Sequence, residues 1–126
     1  MADLLTLSAD VIDGRLELDR AGPLNRINHT LSEINDGLAV VEAFSHCIAF
    51  QTDDGLVTFD TSNEHGGQRC VEAIRGWSDS RFNSLVFTHG HIDHVGGAGA
   101  FMADSASATV VAHENVALRF ERYRLT

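Results

Sequence analysis

A run of side chains that bind metals follows directly on the apolar segment 85–87. Residues 88–94 read Thr-His-Gly-His-Ile-Asp-His, so three of the seven histidines and a carboxylate lie close together. Imidazole and carboxylate groups are ligands that suit zinc and its neighbours in the first transition row. An apolar strand that ends in such a run presents the ligands from a rigid edge. We therefore expect a fold in which a buried strand opens onto a metal site.

Spacing within the run indicates which ligands can share an ion. His89 and His91 are two residues apart and can approach one ion together as the chain leaves the strand. Asp93 and His94 are adjacent and can face a second ion, or Asp93 can hold the attacking water, which makes it the candidate catalytic residue. A polar surface loop would explain a single histidine, whereas three histidines and an aspartate at this spacing indicate a metal site.

The other apolar patterns predict a β-meander followed by alternating helices and strands. Strands are expected at 38–41, 47–50, 56–59, 84–87 and 109–112, and helices at 67–77, 98–103 and 114–124. The turn 53–55, Asp-Asp-Gly, predicts a hairpin. Residues 1–28 are expected to form an N-terminal arm with a short helix around 8–18, and residues 29–126 the folded domain. This order predicts an α/β (α+β) class, with a mixed β-sheet and helices packed on one face.

Charge and residue usage exclude several classes of function. The formal net charge is −9, and all nine basic residues are arginine. An acidic chain lacks the basic footprint that nucleic acid requires. A chain without lysine has neither a P-loop lysine nor a Schiff-base lysine. No apolar stretch suits a signal peptide or a membrane span, and Cys47 and Cys70 have no disulfide or metal spacing. We therefore expect a cytoplasmic protein with two buried thiols, and neither nucleic acid nor membrane as a partner.

The motif His89-x-His91-x-Asp93-His94 after an apolar strand resembles the signature of the metallo-β-lactamase superfamily of hydrolases. Upstream, residues 53–61 are similar to the family's "DDGLVLIDTG" strand, with Ser62 at the position where the family usually has glycine. The resemblance covers about residues 35–126. Within the superfamily, residues 112–115 and 119–126 resemble the branch that includes alkyl sulfatases.

The resemblance implies a fold, a cofactor and a reaction. Residues 29–126 would be the N-terminal half of an αββα sandwich. His89, His91, Asp93 and His94 would bind one or two zinc ions, with iron or manganese as alternatives, and Asp60 would support the metal loop from behind. The reaction would be hydrolysis of a small-molecule ester, thioester, sulfate ester or amide by metal-activated water.

The ligand count is short of the family's full set. Two residues remain for each ion, whereas a catalytic zinc normally has three protein ligands. We therefore expect either a part of a longer hydrolase that lacks its C-terminal half, or a half-length protein that forms a homo-oligomer and completes the site with a second copy. The alternative is a non-catalytic, self-associating metal-binding domain that keeps the metal loop. His113, after a strand, and His65, after the turn at Asp60, are possible extra site residues.

Overall fold

Six strands form one mixed sheet whose spatial order follows the sequence. The computed structural model describes residues 4–17 and 26–124. The strands are β1 (Leu31–Asn35), β2 (Leu38–Val41), β3 (Cys47–Thr52), β4 (Gly55–Phe59), β5 (Phe82–Val86) and β6 (Thr109–Val111). Strands β1 to β4 are antiparallel neighbours, whereas β4, β5 and β6 run parallel. The predicted mixed sheet of the α+β class is confirmed.

Within the described ranges, five helices accompany the sheet. They are α1 (Leu4–Ile12), α2 (Glu64–Arg75), α3 (Ile92–Val95), α4 (Ala98–Asp104) and α5 (Asn115–Tyr123). Helix α2 begins three residues before its predicted start because the Asn63 side chain caps it, accepting a hydrogen bond from the Gly66 N–H at 2.7 Å. None of the helices in the described ranges is long and apolar enough to cross a membrane.

Two elements near the N-terminus differ from the sequence prediction. The helix expected around 8–18 runs over Leu4–Ile12, and position 18 lies outside the described residues. It ends early because Gly14 adopts the left-handed conformation, with φ of 70°. Strand β1 was not predicted, although Asp36-Gly37 is a hairpin signal and Gly37 also has a φ of 70°.

The helices cover one face of the sheet. Ala39, Ala49, Thr58 and Leu85 are aligned across β2 to β5 on that face. Ala49 and Leu85 share the buried core with Cys70 and Ile74 of α2 and with Phe101 of α4. Cys47 and Cys70 are both free and buried, as expected. Burial raises the pKa of the Cys70 thiol to about 12, so this thiol is protonated at neutral pH.

Close glycine contacts bring α2 against the start of α4. A Cβ atom on Gly97 would lie 2.0 Å from the Thr61 carbonyl oxygen and 2.8 Å from the Gly67 Cα. Neither distance is compatible with a side chain. The glycines therefore allow the chain after the histidine run to lie directly on the segment that follows β4.

The opposite face of the sheet is apolar and open. Val40, Ile48, Phe59, Val86 and Val111 are successive cross-strand neighbours, so their side chains form one row across five strands. In this row Ile48 is 37% exposed and Phe59 39% exposed. Apolar side chains in one continuous row mark a surface that other protein usually covers.

Candidate metal centre

The histidine run lies where the parallel strands β4 and β5 end side by side. Phe59, the last residue of β4, pairs with Val86, the last residue of β5, and the Asp60 N–H donates to the Val86 carbonyl at 2.9 Å. The chain after β5 then turns into helix α3, and the Thr61 N–H donates to the His94 carbonyl at 2.8 Å. Because carboxyl ends of parallel strands share one edge, two distant segments meet here.

Asp60 is the hydrogen-bond centre of this edge. Its carboxylate accepts hydrogen bonds from the Thr88 N–H at 2.8 Å and the Thr88 hydroxyl at 2.7 Å. It also lies 2.7 Å from the Nδ1 atom of His94. The residue is 6% exposed and has a φ of 59°, a conformation that residues other than glycine adopt at a cost. Both carboxylate oxygens are therefore engaged in holding the loop.

The hydrogen bonds determine which ring nitrogens carry protons. The Thr88 hydroxyl donates to Asp60, so it accepts from the Nδ1–H of His89, which lies at 3.0 Å. His94 likewise donates its Nδ1–H to the same carboxylate. Each neutral imidazole then keeps its lone pair on Nε2, which is the form that binds a metal. One buried aspartate thus sets the tautomers of two histidines.

The predicted ligands form two pairs. The Nε2 atom of His89 lies 2.9 Å from the Nδ1 atom of His91, and the Nε2 atom of His94 lies 3.6 Å from the Oδ2 atom of Asp93. Two nitrogen ligands on one tetrahedral zinc are about 3.3 Å apart, since each Zn–N bond is about 2.0 Å. The donor set therefore fits zinc, with two donors for each ion.

Asp60, His89 and His94 also offer ligand atoms that all lie within 4.8 Å of one another, which makes them a candidate metal site. The contacts of Asp60 favour a supporting role behind the histidines over direct binding of the metal. Its oxygens already accept from Thr88 and from His94. A carboxylate that binds the far nitrogen of a ligand histidine orients the ring and strengthens its donation to the metal.

Ser45 holds Asp93, and sequence reasoning missed it. The Ser45 hydroxyl, in the loop between β2 and β3, donates to Asp93 Oδ2 at 2.9 Å. Burial acts to raise the pKa of Asp93, but the Ser45 hydrogen bond, the Asp93 backbone and the neighbouring His94 and His91 outweigh it and hold this pKa below its ordinary value. Asp93 is therefore ionised at neutral pH. A single serine so far away in sequence carries no motif that could have revealed it.

The two extra histidines lie in different surroundings. His113 lines a pocket of about 490 Å³ together with His89 and His91. Its Nδ1 atom accepts from the Asn115 N–H at 3.1 Å, so the proton of the neutral ring is on Nε2, which then acts as a donor. His65 lines a separate pocket with His29 and Arg69.

Comparisons with known proteins identify the family of this chain and similar folds. A family model described as the metallo-beta-lactamase superfamily matches residues 40–125. A search of curated protein sequences gave no significant match. The predicted resemblance to the superfamily is thereby confirmed.

Several solved structures are similar to this chain. A metallo-beta-lactamase with a HARLDQ motif from Cronobacter sakazakii is 19% identical, with a TM-score of 0.66 over 78% of this chain and 36% of its own. The metallo-beta-lactamase MIM-2 is 26% identical, with a TM-score of 0.60 over 68% of this chain and 33% of its own. A double mutant of the sec-alkyl sulfatase PisA1 from Pseudomonas is 22% identical, with a TM-score of 0.60 over 71% of this chain and 15% of its own. The chain thus spans between 15% and 36% of the length of these structures.

Proposed function

This chain belongs to the metallo-beta-lactamase superfamily, and we propose on that basis that it is a metal-dependent hydrolase. The substrate would be a small molecule with an ester, thioester, sulfate ester or amide bond. The observation that carries the proposal is the arrangement around Asp60, which engages the Nδ1–H groups of His89 and His94 and leaves their Nε2 lone pairs facing His91 and Asp93, the other two candidate ligands. A structural loop has no need of two histidines held in the tautomer that binds a metal.

His89 and His91 would hold one ion, and Asp93 and His94 a second. Zinc suits this mixture of imidazole and carboxylate, and iron or manganese are the alternatives. When bound, such an ion lowers the pKa of its water ligand to about 7 and so supplies a nucleophile at neutral pH. Two donors for each ion leave coordination positions for the substrate, for water and for a further protein ligand.

The chain's own residues position the reacting groups. Asp93 is ionised, since its pKa lies below the ordinary value, and its Oδ2 atom is fixed by the Ser45 hydroxyl. A fixed carboxylate beside the ligand histidines can accept a proton from the attacking water and orient its lone pair toward the substrate. Asp60 would hold the rings of His89 and His94 in a fixed orientation during the reaction.

Metal content and hydrolysis test the proposal together. The purified chain is dialysed against zinc, its bound zinc is measured by mass spectrometry, and hydrolysis of 4-nitrophenyl acetate is followed. The double variant His89→Ala/His91→Ala should lose bound zinc and activity, whereas His29→Ala, which changes a histidine in the other pocket, should keep both. A folded wild-type chain that binds no zinc, or binds it without hydrolysing any ester, would contradict the proposed function.

A second candidate function has its own supporting observation, the open apolar face. Phe50 is 43% exposed there, beside the row that contains Ile48 and Phe59. We propose that a second copy of the chain covers this face, either to complete the hydrolase or in a non-catalytic, self-associating metal-binding domain. Sedimentation equilibrium should then show a dimer that Phe50→Asp disrupts. Leu118→Asp, at an exposed leucine of α5, should leave it intact. A wild-type chain that stays monomeric at high concentration would rule out this assembly.

The proposal also includes the cellular compartment and the division of the chain. The two free, buried cysteines favour a reducing compartment such as the cytoplasm. We also propose that residues 1–28 are an arm, with α1 inside it, and that residues 29–126 are the N-terminal half of the superfamily's domain. The absence of buried core side chains in α1 supports that division.

A further inference from the structure

The pocket beside the metal loop has a basic lining in an acidic protein. It measures about 490 Å³ and lies between the loop and helix α5. Its lining includes His89, His91, His113 and Arg119, and no described residue of the lining carries a carboxylate. The whole chain carries a net charge of −9. This lining therefore attracts anions, although the protein as a whole is acidic.

Arg119 is the permanent cation of this pocket. Its stem crosses the loop at Gly90, because a Cβ atom on that glycine would lie 3.1 Å from both Cβ and Cγ of Arg119. Its Cζ atom lies 5.5 Å from the centre of the Tyr123 ring, and its Nε donates to the Tyr123 hydroxyl at 3.4 Å. Aromatic contact holds a guanidinium in place without neutralising its charge.

Arg119 has no counter-charge among the described residues, as is also true of Arg69, Arg81 and Arg122. Arg26 pairs with Glu42, Arg75 with Asp104 and Arg124 with Glu121. Within residues 4–17 and 26–124, no carboxylate lies within ion-pair distance of Arg119. Arg119 lines a pocket, contacts an aromatic ring and lacks an acidic partner. Such an arginine is suited to bind a ligand that carries an acidic group.

We propose that Arg119 binds an oxyanion group, a carboxylate, sulfate or phosphate, on the small molecule that occupies this pocket. The planar guanidinium forms paired hydrogen bonds to such groups, and its weak hydration keeps the cost of binding low. As a substrate preference, the inference rests on the proposed hydrolase function. As a binding site, it depends only on residues of this chain.

Binding to the zinc-free 126-residue chain tests the site directly. The measurement is made at pH 8, with Arg119 as the cation under test. Equilibrium dialysis compares 4-nitrobenzoate with the neutral 4-nitrobenzyl alcohol. Arg119→Met keeps the stem against Gly90 and should weaken 4-nitrobenzoate binding about ten-fold, with binding of the alcohol unchanged. Arg119→Lys should recover part of the loss.

The control is Arg122→Met, on the same helix but outside the pocket lining. It should bind 4-nitrobenzoate like the wild type. Equal losses in Arg122→Met and Arg119→Met would mean that general charge attracts the anion, and would overturn the inference. Unchanged binding in Arg119→Met would overturn it as well. Adding 4-nitrophenyl sulfate and 4-nitrophenyl phosphate to the comparison identifies which oxyanion the site prefers.

Kinetics on the zinc-loaded chain separate this inference from the proposed function. With the mono-4-nitrophenyl ester of adipic acid, Arg119→Met should raise KM about ten-fold, and with 4-nitrophenyl acetate it should leave KM unchanged. Hydrolysis of both esters without any effect of Arg119→Met would overturn the inference and leave the hydrolase standing. Arg119-dependent binding of 4-nitrobenzoate without hydrolysis of either ester would support the site and contradict the hydrolase.

Discussion

The Asp60 carboxylate and the His94 imidazole, which are 34 residues apart in sequence, lie 2.7 Å apart at the end of the sheet. The same carboxylate reaches His89 through the Thr88 hydroxyl. Strand β4 therefore controls the ring orientation and the tautomers of histidines that follow strand β5. The geometry of the histidine run at residues 88–94 therefore depends on a residue outside that motif.

Asp60→Asn should lower zinc affinity by about 10- to 100-fold, as loss of a carboxylate behind a ligand histidine does in other metal sites. Oδ1 of Asp60 accepts from the Thr88 N–H, and Oδ2 accepts from the Thr88 hydroxyl and from His94, so an amide NH₂ at either position would face a donor. Competition with a fluorescent chelator measures the affinity. Asp54→Asn, in the exposed turn before β4, is the control and should bind zinc normally. Wild-type affinity in Asp60→Asn would show that the loop holds its histidines unaided.

Gly97→Ala should destabilise the fold by about 3 kcal/mol, because its Cβ atom would lie 2.0 Å from the Thr61 carbonyl oxygen and backbone would have to move. Urea unfolding measures the change. Gly99→Ala, two residues further on and inside helix α4, is the matched control, since no atom lies within 4 Å of its Cβ position. Its free energy of unfolding should be unchanged or raised by up to about 1 kcal/mol. Similar losses in both variants would refute the close contact.

Ser62→Gly should stabilise the protein by about 1 kcal/mol. Ser62 has a φ of 62°, which is strained for a residue with a side chain. Its buried hydroxyl oxygen has no hydrogen-bond partner among the described residues, and an unpaired buried hydroxyl adds to the cost. Glycine removes both the strain and the unpaired hydroxyl. Its larger loss of backbone entropy on folding offsets part of this gain in stability. Thermal unfolding would compare it with Ser62→Ala, which removes only the hydroxyl. An alanine variant as stable as the glycine variant would argue against backbone strain.

The Arg75–Asp104 ion pair should make stability depend on acid pH. The hydrogen bond from Arg75, opposed by partial burial, holds the pKa of Asp104 below 3.8. Its contribution is therefore present above the unfolded-state pKa and is lost as the pH falls through the lower folded-state pKa. Asp104→Asn should cost about 1 kcal/mol at pH 7.

Urea unfolding at several pH values checks this dependence. The difference between the wild type and Asp104→Asn should shrink as the pH falls through the lowered folded-state pKa of Asp104, because the carboxyl is then protonated in both states. Glu121→Gln removes the exposed pair with Arg124, whose side chain is 76% exposed, and should have little effect at any pH. A cost of Asp104→Asn that persists at low pH would mean that Asp104 acts through packing and not through charge.

Local pattern was sufficient for most of the secondary structure. The strands from residue 38 onward and the helices α2, α4 and α5 agree with the expected ones to within a few residues, because their apolar periods and turn residues are encoded locally. The short helix α3 (Ile92–Val95) was not predicted. The early helix was misplaced because Gly14 ends it. Strand β1 was overlooked because its own pattern, Leu-Ser-Glu-Ile-Asn, alternates weakly.

The sequence by itself determined the superfamily and the four candidate ligands, His89, His91, Asp93 and His94, since a dense motif identifies its chemistry without a fold. Only the tertiary structure decided how those ligands are held. The fold brought Ser45 to Asp93, Asp60 to two histidines and Arg119 to Gly90. These contacts join residues from different strands and helices. Their geometry depends on the register of parallel strands and the packing of helices, which no local stretch of sequence encodes.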